Sequence, residues 1–407
     1  MNCRHCGQGL HHVFLDLGSA PPSNAYVSAQ GLREPEVHYP LRLFVCEACW
    51  LVQTEDHAHA DELFRDDYAY FSSTSRSWLA HAEAYSRMIV ERLHLDARSH
   101  VLEVAANDGY LLRNFVAAGI PCLGVEPTAG TAQAARALGI PIVQAFFGVP
   151  LATELASQGA AADLIICNNV FAHVPDINDF AAGLRVALKP EGVVTIEFPH
   201  LLRMIALTQF DTAYHEHFSY LSLHSAARVL RAAGLRVCDV EQLPTHGGSL
   251  RVYACHEAAS HPVTPAVAAV LADEEAAGLR TLAPYLAFQA RADAVKDGLL
   301  EFLLACKREG RRVMGYGAAA KGNTLLNYAG VRPDLLPCIA DAAPSKQGRH
   351  TPGTHIPIVA PSHLLEQKPA IVLILPWNIA DEVVQQLAEV RRWGGRFAVA
   401  VPKLALL

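Results

Sequence analysis

From about residue 100 onward, short apolar runs alternate with stretches in which apolar residues recur every three or four positions. SHVLEVAANDG is an apolar run closed by Asn-Asp-Gly, and RSWLAHAEAYSRMIVERLHLD before it (76 to 96) has helical spacing. LLRNFVAAG, GTAQAARALG, LATELASQG and FAAGLRVALKPEG read as helices; PCLGVEP, PIVQAFF, ADLIICNNV and VVTIEFP read as the strands between them. Such alternation predicts a mostly parallel sheet covered on both faces. SLHSAARVLRAAG, LRVCDVEQLP and SLRVYACH add a last helix and an antiparallel pair of strands.

A long Ala, Leu and Glu-rich stretch over 257 to 310 reads as a helical connector. Beyond it RRVMGYGAAAKG, LLPCIADAAP, AIVLILPWN and RFAVAVP predict a second, smaller sheet of the same kind. Residues 1 to about 65 lack long apolar periods and read as a small loop-and-strand module with a thin core of its own. The expected boundaries are therefore 1–65, 66–256 and 257–407. At 407 residues and 51% hydrophobic, the chain has material for several packed domains. The start has no signal-peptide pattern and no window reaches a membrane span, so a cytoplasmic protein is expected. A net charge of −7 without a long basic run argues against a nucleic-acid partner and for a small molecule.

Ten cysteines in such a chain argue for reduced or metal-bound thiols rather than disulfides. Cys3-x-x-Cys6 and Cys46-x-x-Cys49 are two knuckles, each able to aim two thiolates at one tetrahedral ion. Four thiolates leave no open position, so the zinc expected there is structural. Glu103-Val-Ala105-Ala-Asn107-Asp108-Gly109 stands at a strand-to-helix turn but lacks the usual glycine triplet, with Ala105 and Asn107 where glycines are common. Glu126, 23 residues after Glu103, ends the next strand, where a carboxylate can bind both ribose hydroxyls. Asn168 and Asn169, followed by His173, favour a ligand without pyrophosphate, which suits S-adenosylmethionine better than NAD.

The densest polar cluster is Tyr214-His215-Glu216-His217-Phe218-Ser219-Tyr220, side chains suited to acid–base chemistry near neutral pH. His246-Gly-Gly-Ser-Leu-Arg251 sets two glycines before a strand and could bring Arg251 near an anion or a sugar, or could equally be a hairpin turn. Gly315-Tyr316-Gly-Ala-Ala-Ala-Lys321-Gly-Asn323 opens the second Rossmann-like unit, with Lys321 and a helix N-terminus placed to meet phosphate.

Taken together, the two knuckles, LEVAANDGYLL, NNVFAHVPD, YHEHFSYLS, HGGSLR, GYGAAAKGN and DAAPSKQGRHTPGTHIPI resemble the bacterial three-domain sugar C-methyltransferases over essentially the whole chain. The resemblance implies an α/β chain: a small zinc-binding N-terminal module, a central class I methyltransferase (Rossmann-like) domain, and a second Rossmann-like domain that binds the nucleotide-sugar. It also implies S-adenosylmethionine as methyl donor and a nucleotide-linked 4-keto-deoxysugar, dTDP-linked and methylated at C3, as acceptor, in deoxysugar or antibiotic biosynthesis. The family's catalytic Tyr-x-Glu-His falls on Tyr214, Glu216 and His217, with His173 and Tyr70 matching further site residues. His217 is the first candidate for the base, and Tyr214 and His173 are the alternatives. Cofactor candidates are Glu103, Ala105, Asn107, Asp108, Gly109, Glu126, Asn168 and Asn169. For the sugar nucleotide they are His246, Arg251, Tyr316, Lys321, Asn323, Lys346 and Arg349. Two rival readings are an NAD-dependent nucleotide-sugar dehydrogenase or epimerase and a non-enzymatic nucleotide-sugar binder.

Overall fold

The computed structural model describes residues 1–55, 57 and 71–407. The expected α/β architecture is present. Strands β1 (His12–Ala20), β2 (Tyr39–Val45) and β3 (Val52–Thr54) form an antiparallel meander. The central strands are β4 (Val101–Val104), β5 (Cys122–Val125), β6 (Ile142–Val143), β7 (Ala162–Asn168) and β8 (Leu188–Pro199). After the two-residue β9 (Ser219–Tyr220) come β10 (Leu235–Leu243) and β11 (Ser249–His256).

The central sheet runs β10-β11-β8-β7-β4-β5-β6, and only β11 is antiparallel to its neighbours. Every residue of β4 is buried, as a parallel strand covered on both faces requires. One expected helix is shorter than its sequence suggests: Ile177–Ala187 stops where FAAGLRVALKPEG was expected to continue, and β8 begins at Leu188. Pro190 explains this, because the residue before a proline is driven out of the helical region.

The third sheet contains β12 (Val313–Tyr316), β13 (Ile339–Ala340), β14 (Ile358–Val359), β15 (Ile371–Ile374), β16 (Arg396–Val399) and β17 (Ala405–Leu406). Its order is β14-β13-β12-β15-β16-β17, parallel but for β17. In each of the two large sheets the first strand has its successor on one side and a later strand on the other. β4 lies between β5 and β7, and β12 between β13 and β15. Ligands of open α/β sheets bind at the carboxyl ends of strands at such switch points.

The N-terminal meander does not stand alone. β9 pairs with β3 (Val52 with Tyr220, Gln53 with Ser219) and completes its sheet with a strand from the segment between β8 and β10. Phe14 on β1 stacks at 4.6 Å on Phe288, from the helix Phe288–Arg308, and meets Tyr285 edge-on at 5.8 Å. The module's thin core is thus closed by aromatic contacts from the connector, where ring pairs gain beyond area burial alone.

Candidate active site and zinc site

The ligand atoms of Cys3, Cys6, Cys46 and Cys49 lie within 4.8 Å of one another. Cys3 and Cys49 Sγ are 3.5 Å apart, as are Cys6 and Cys46 Sγ. A tetrahedral zinc–thiolate site with bonds of about 2.3 Å has sulfur–sulfur edges of roughly 3.8 Å, within the 3.5–4.8 Å range of this cluster. Hydrogen bonding with the Cys49 thiol holds the Cys3 thiol well below its ordinary value.

At the carboxyl end of β4 the chain turns through three left-handed residues, Ala105, Asn107 and Gly109, with φ of 59°, 51° and 78°. For Ala105 this conformation costs about 1–2 kcal/mol. A side chain at Gly109 would collide with Ile140, so that position needs glycine for space as well as for φ. The Asn107 and Asp108 side chains accept from the backbone N–H groups of Ser72 and Ser73 at 3.0 and 3.1 Å. Glu126, just beyond β5, accepts from the N–H groups of Asn107 and Thr128, both at 2.9 Å.

Around this turn Glu103 Oε2, Asp108 Oδ1, Asn168 Oδ1 and Asn169 Oδ1 are buried acceptors without a hydrogen-bond partner among the described residues. Burial, and then the neighbouring charges of Glu126 and Asp108, hold the Glu103 carboxyl well above the usual carboxylate range. An acceptor-rich, acidic mouth calls for a ligand that brings donors and positive charge. S-adenosylmethionine fits, with its sulfonium, ammonium, adenine amino group and ribose hydroxyls.

The YHEHFSY segment lies beside this edge. His217 Nδ1 donates to the Thr212 carbonyl at 3.1 Å, and His173 Nδ1 to the Glu216 carbonyl at 2.8 Å. A nitrogen facing a carbonyl must carry the proton, so Nε2 of His217 is left with a lone pair. The His217 ring centroid is 4.5 Å from that of His173, 4.0 Å from Tyr214 and 5.8 Å from Tyr220. Burial lowers His173 to about 4 and His217 well below its ordinary value, the latter helped by the facing His173. Both imidazoles are therefore neutral near pH 7 and able to accept a proton. Both carboxylate oxygens of Glu216 accept from Asn24 Nδ2 at 2.9 Å. His215, the middle of the motif, turns away to the Tyr39 carbonyl. Tyr70 lies outside the described residues.

Across from this loop stands the carboxyl edge of the third sheet. Lys321, in the first turn of the helix Ala320–Tyr328, points Nζ at Asn378 Oδ1 (3.1 Å) and the His246 carbonyl (3.5 Å), and lies 4.7 Å over Trp377. Trp377 Nε1 donates to Asp211 Oδ2 at 2.7 Å. Burial lowers Lys321 to about 8 against the pull of Asp211, and raises Asp211 to about 6 against the pull of Lys321. His246 is 3.4 Å from Asn169 Nδ2 and stacks obliquely on Trp78, which ties this edge to the cofactor edge.

Three sugar-side expectations need correction. Arg251 is buried inside the sheet, bound at 2.9 Å to both Glu197 and Glu241. Its charge is spent there, because a buried guanidinium needs its partners. Tyr316 belongs to the core beneath Val383 and Leu387, with its hydroxyl on Gln386. Asn323 is fully buried and donates to the Ser23 carbonyl at 2.7 Å. Lys346 donates to the Ala318 carbonyl at 2.9 Å and lies 3.6 Å from Asp341, whereas Arg349 is exposed. Asn24, Asp211 and Trp377 are the groups at this site that sequence reasoning missed, and no motif marks them.

The β10-β11-β8-β7-β4-β5-β6 order and the acidic switch-point mouth define an S-adenosylmethionine-dependent class I methyltransferase. Comparisons with known proteins agree and go further. Residues 3–64 match a family of zinc-binding domains, 78–240 a methyltransferase domain family, and 244–402 the C-methyltransferase C-terminal domain family. The C-methyltransferase NovU of Streptomyces niveus is 35% identical over 404 residues, covering 98% of this chain and 95% of NovU. The chain belongs to this family of C-methyltransferases, with S-adenosylmethionine as methyl donor and a structural zinc. Among solved structures, a protein from Pyrococcus horikoshii is 13% identical with a TM-score of 0.37, covering 48% of this chain and all of its own. Magnesium protoporphyrin IX methyltransferase from Synechocystis is 13% identical with a TM-score of 0.35, covering 44% of this chain and 83% of its own. Family membership overturns the dehydrogenase and non-enzymatic readings.

Proposed function

We propose that this enzyme methylates C3 of a nucleotide-linked 4-keto-deoxysugar, dTDP-linked in the first instance, in deoxysugar or antibiotic biosynthesis. The observation that carries the reading is a pair of neutral histidines, His217 buried and His173 half-buried, beside Tyr214 and set between the carboxyl edges of two Rossmann-like sheets. In this reading residues 1–65 form the zinc module, 66–256 hold the methyl donor, and 257–407 hold the sugar nucleotide near Lys321 and Lys346. The family resemblance supports a ketone at C4, which acidifies the C3–H bond. His217 Nε2 takes that proton, a hydrogen bond from the Tyr214 hydroxyl stabilises the enolate oxygen, and C3 attacks the sulfonium methyl with S-adenosylhomocysteine as leaving group. Glu216 binds a hydroxyl or amino group of the sugar.

Exchange in deuterium oxide tests the base without needing methyl transfer. With S-adenosylhomocysteine bound, the enzyme is expected to wash deuterium into C3 of a dTDP-linked 4-keto-6-deoxyhexose, and His217→Asn is not. The same variant should lose about 10²- to 10⁴-fold in kcat with ligand affinities little changed. Exchange at the undiminished rate in His217→Asn would transfer the role of base to Tyr214 or His173.

A further inference from the structure

Glu216 is buried in the middle of the site, and a carboxylate there needs a donor to remain oriented and charged. One donor, among the described residues, is not on the methyltransferase sheet. Asn24 Nδ2 reaches both carboxylate oxygens from the stretch between β1 and β2. That stretch is itself pinned on two sides. Tyr26 donates its hydroxyl to the Ala318 carbonyl at 2.5 Å, and the Ser23 carbonyl accepts from Asn323 at 2.7 Å. Ser23 Oγ meets Thr324 Oγ1, which donates to the Ala213 carbonyl, one residue before Tyr214. Residues 23–26 are therefore clamped between the Rossmann-like C-terminal unit and the YHEH loop, with the Asn24 amide presented to Glu216.

We infer that Asn24 is a positioning residue for the methyl-transfer reaction: its amide holds the Glu216 carboxylate turned toward the sugar. This rests on the placement of Glu216 in the active site proposed above. An amide is suited to the task, since it donates without adding charge and cannot lose its proton. An aspartate of the same shape would place a second carboxylate against the first, and the pair would then share a proton.

The test uses the full-length, zinc-loaded protein, labelled S-adenosylmethionine and a dTDP-linked 4-keto-6-deoxyhexose. Asn24→Ala is expected to lower kcat/KM for the sugar about 10- to 100-fold, the loss typical of a hydrogen bond to a charged group. Its affinity for the methyl donor should be little changed. Asn24→Asp is expected to change the shape of the pH profile. Its activity is greatest on the acid side, where the introduced carboxyl is protonated and still donates to Glu216, and falls as rising pH ionises both groups. An Asn24→Asp profile of unaltered shape, or Asn24→Ala with undiminished kcat/KM, overturns the inference. If Asn24→Asp does not fold, a cycle with Glu216→Gln decides: Asn24→Ala should cost little more in that background, and full additivity means it does not act through Glu216. Full activity in Glu216→Gln itself would instead remove Glu216 from the proposed site, a separate failure.

Discussion

Glu126 is engaged by the backbone N–H groups of Asn107 and Thr128, so its carboxylate shapes the turn after β4, and in the proposed role its remaining lone pairs would take a ribose. Glu126→Ala is expected to weaken S-adenosylmethionine binding by about 1.5–3 kcal/mol, measured by titration calorimetry. An unchanged affinity would mean the ribose is held elsewhere. On the sugar side, Lys321→Ala should raise KM for the sugar nucleotide and leave affinity for the methyl donor alone. The titrating groups also set the pH limits. In the proposed role Lys321 would bind an anion only while protonated, and its value is lowered to about 8, so KM for the sugar should climb as pH rises through about 8. In the proposed role of base His217 would act only while unprotonated, and burial lowers its value, so the acid limb of kcat/KM should lie below the ordinary histidine range near 6.5. A fall in kcat/KM centred above that range would contradict a buried, neutral base. The Tyr214, Glu216 and His217 grouping was legible because all three stand within four residues. Asn24 and Trp377 were not, because nothing local in PPSNAY or LPWN tells which distant carboxylate each will meet.

Among elements, the turn Thr245–Gly247 before β11 joins the two ligand edges, and its geometry depends on Gly247 at φ 89°. A Cβ there would lie 2.4 Å from Trp377 and 2.6 Å from Gln209, both groups that line the junction with the third sheet. Gly247→Ala is therefore expected to cost about 1–3 kcal/mol of stability through overpacking, read by thermal unfolding, and to raise KM for the sugar. Strands β4, β5 and β7 were plain in the sequence because a buried parallel strand needs an unbroken apolar run. β14 and β17 have two residues each, too few for any period to register, and β9 was concealed in a segment whose polar residues advertised chemistry. Arg251 was misjudged for a related reason. HGGSLR reveals a turn and a strand but not that Glu197 and Glu241 wait on the flanking strands to neutralise it.

For the molecule as a whole, the zinc knuckles, the meander and the YHEH loop are mechanically continuous: Cys46 and Cys49 sit between β2 and β3, and β3 pairs with β9 directly after His217 and Phe218. Metal loss should then act on stability first and on turnover only as a consequence. Cys46→Ser, or removal of zinc by a chelator, is expected to lower the melting temperature and the yield of folded protein, with kcat per folded molecule little altered. Elemental analysis should find one zinc per chain, and a metal-free chain of full stability would refute a structural role. The same β3 to β9 pairing also bears on how the protein is born. At about 5–20 residues per second, a ribosome takes on the order of ten seconds or more to travel from Val52 to Tyr220. Through that interval the nascent N-terminus carries an open, hydrogen-bond-hungry sheet edge that invites pairing with a neighbouring nascent chain. Completion of the first sheet thus waits until β4 to β8 have been made, while β10 and β11 of the central sheet are still to come, so the earliest part of the polypeptide is sealed only after most of the central strands exist.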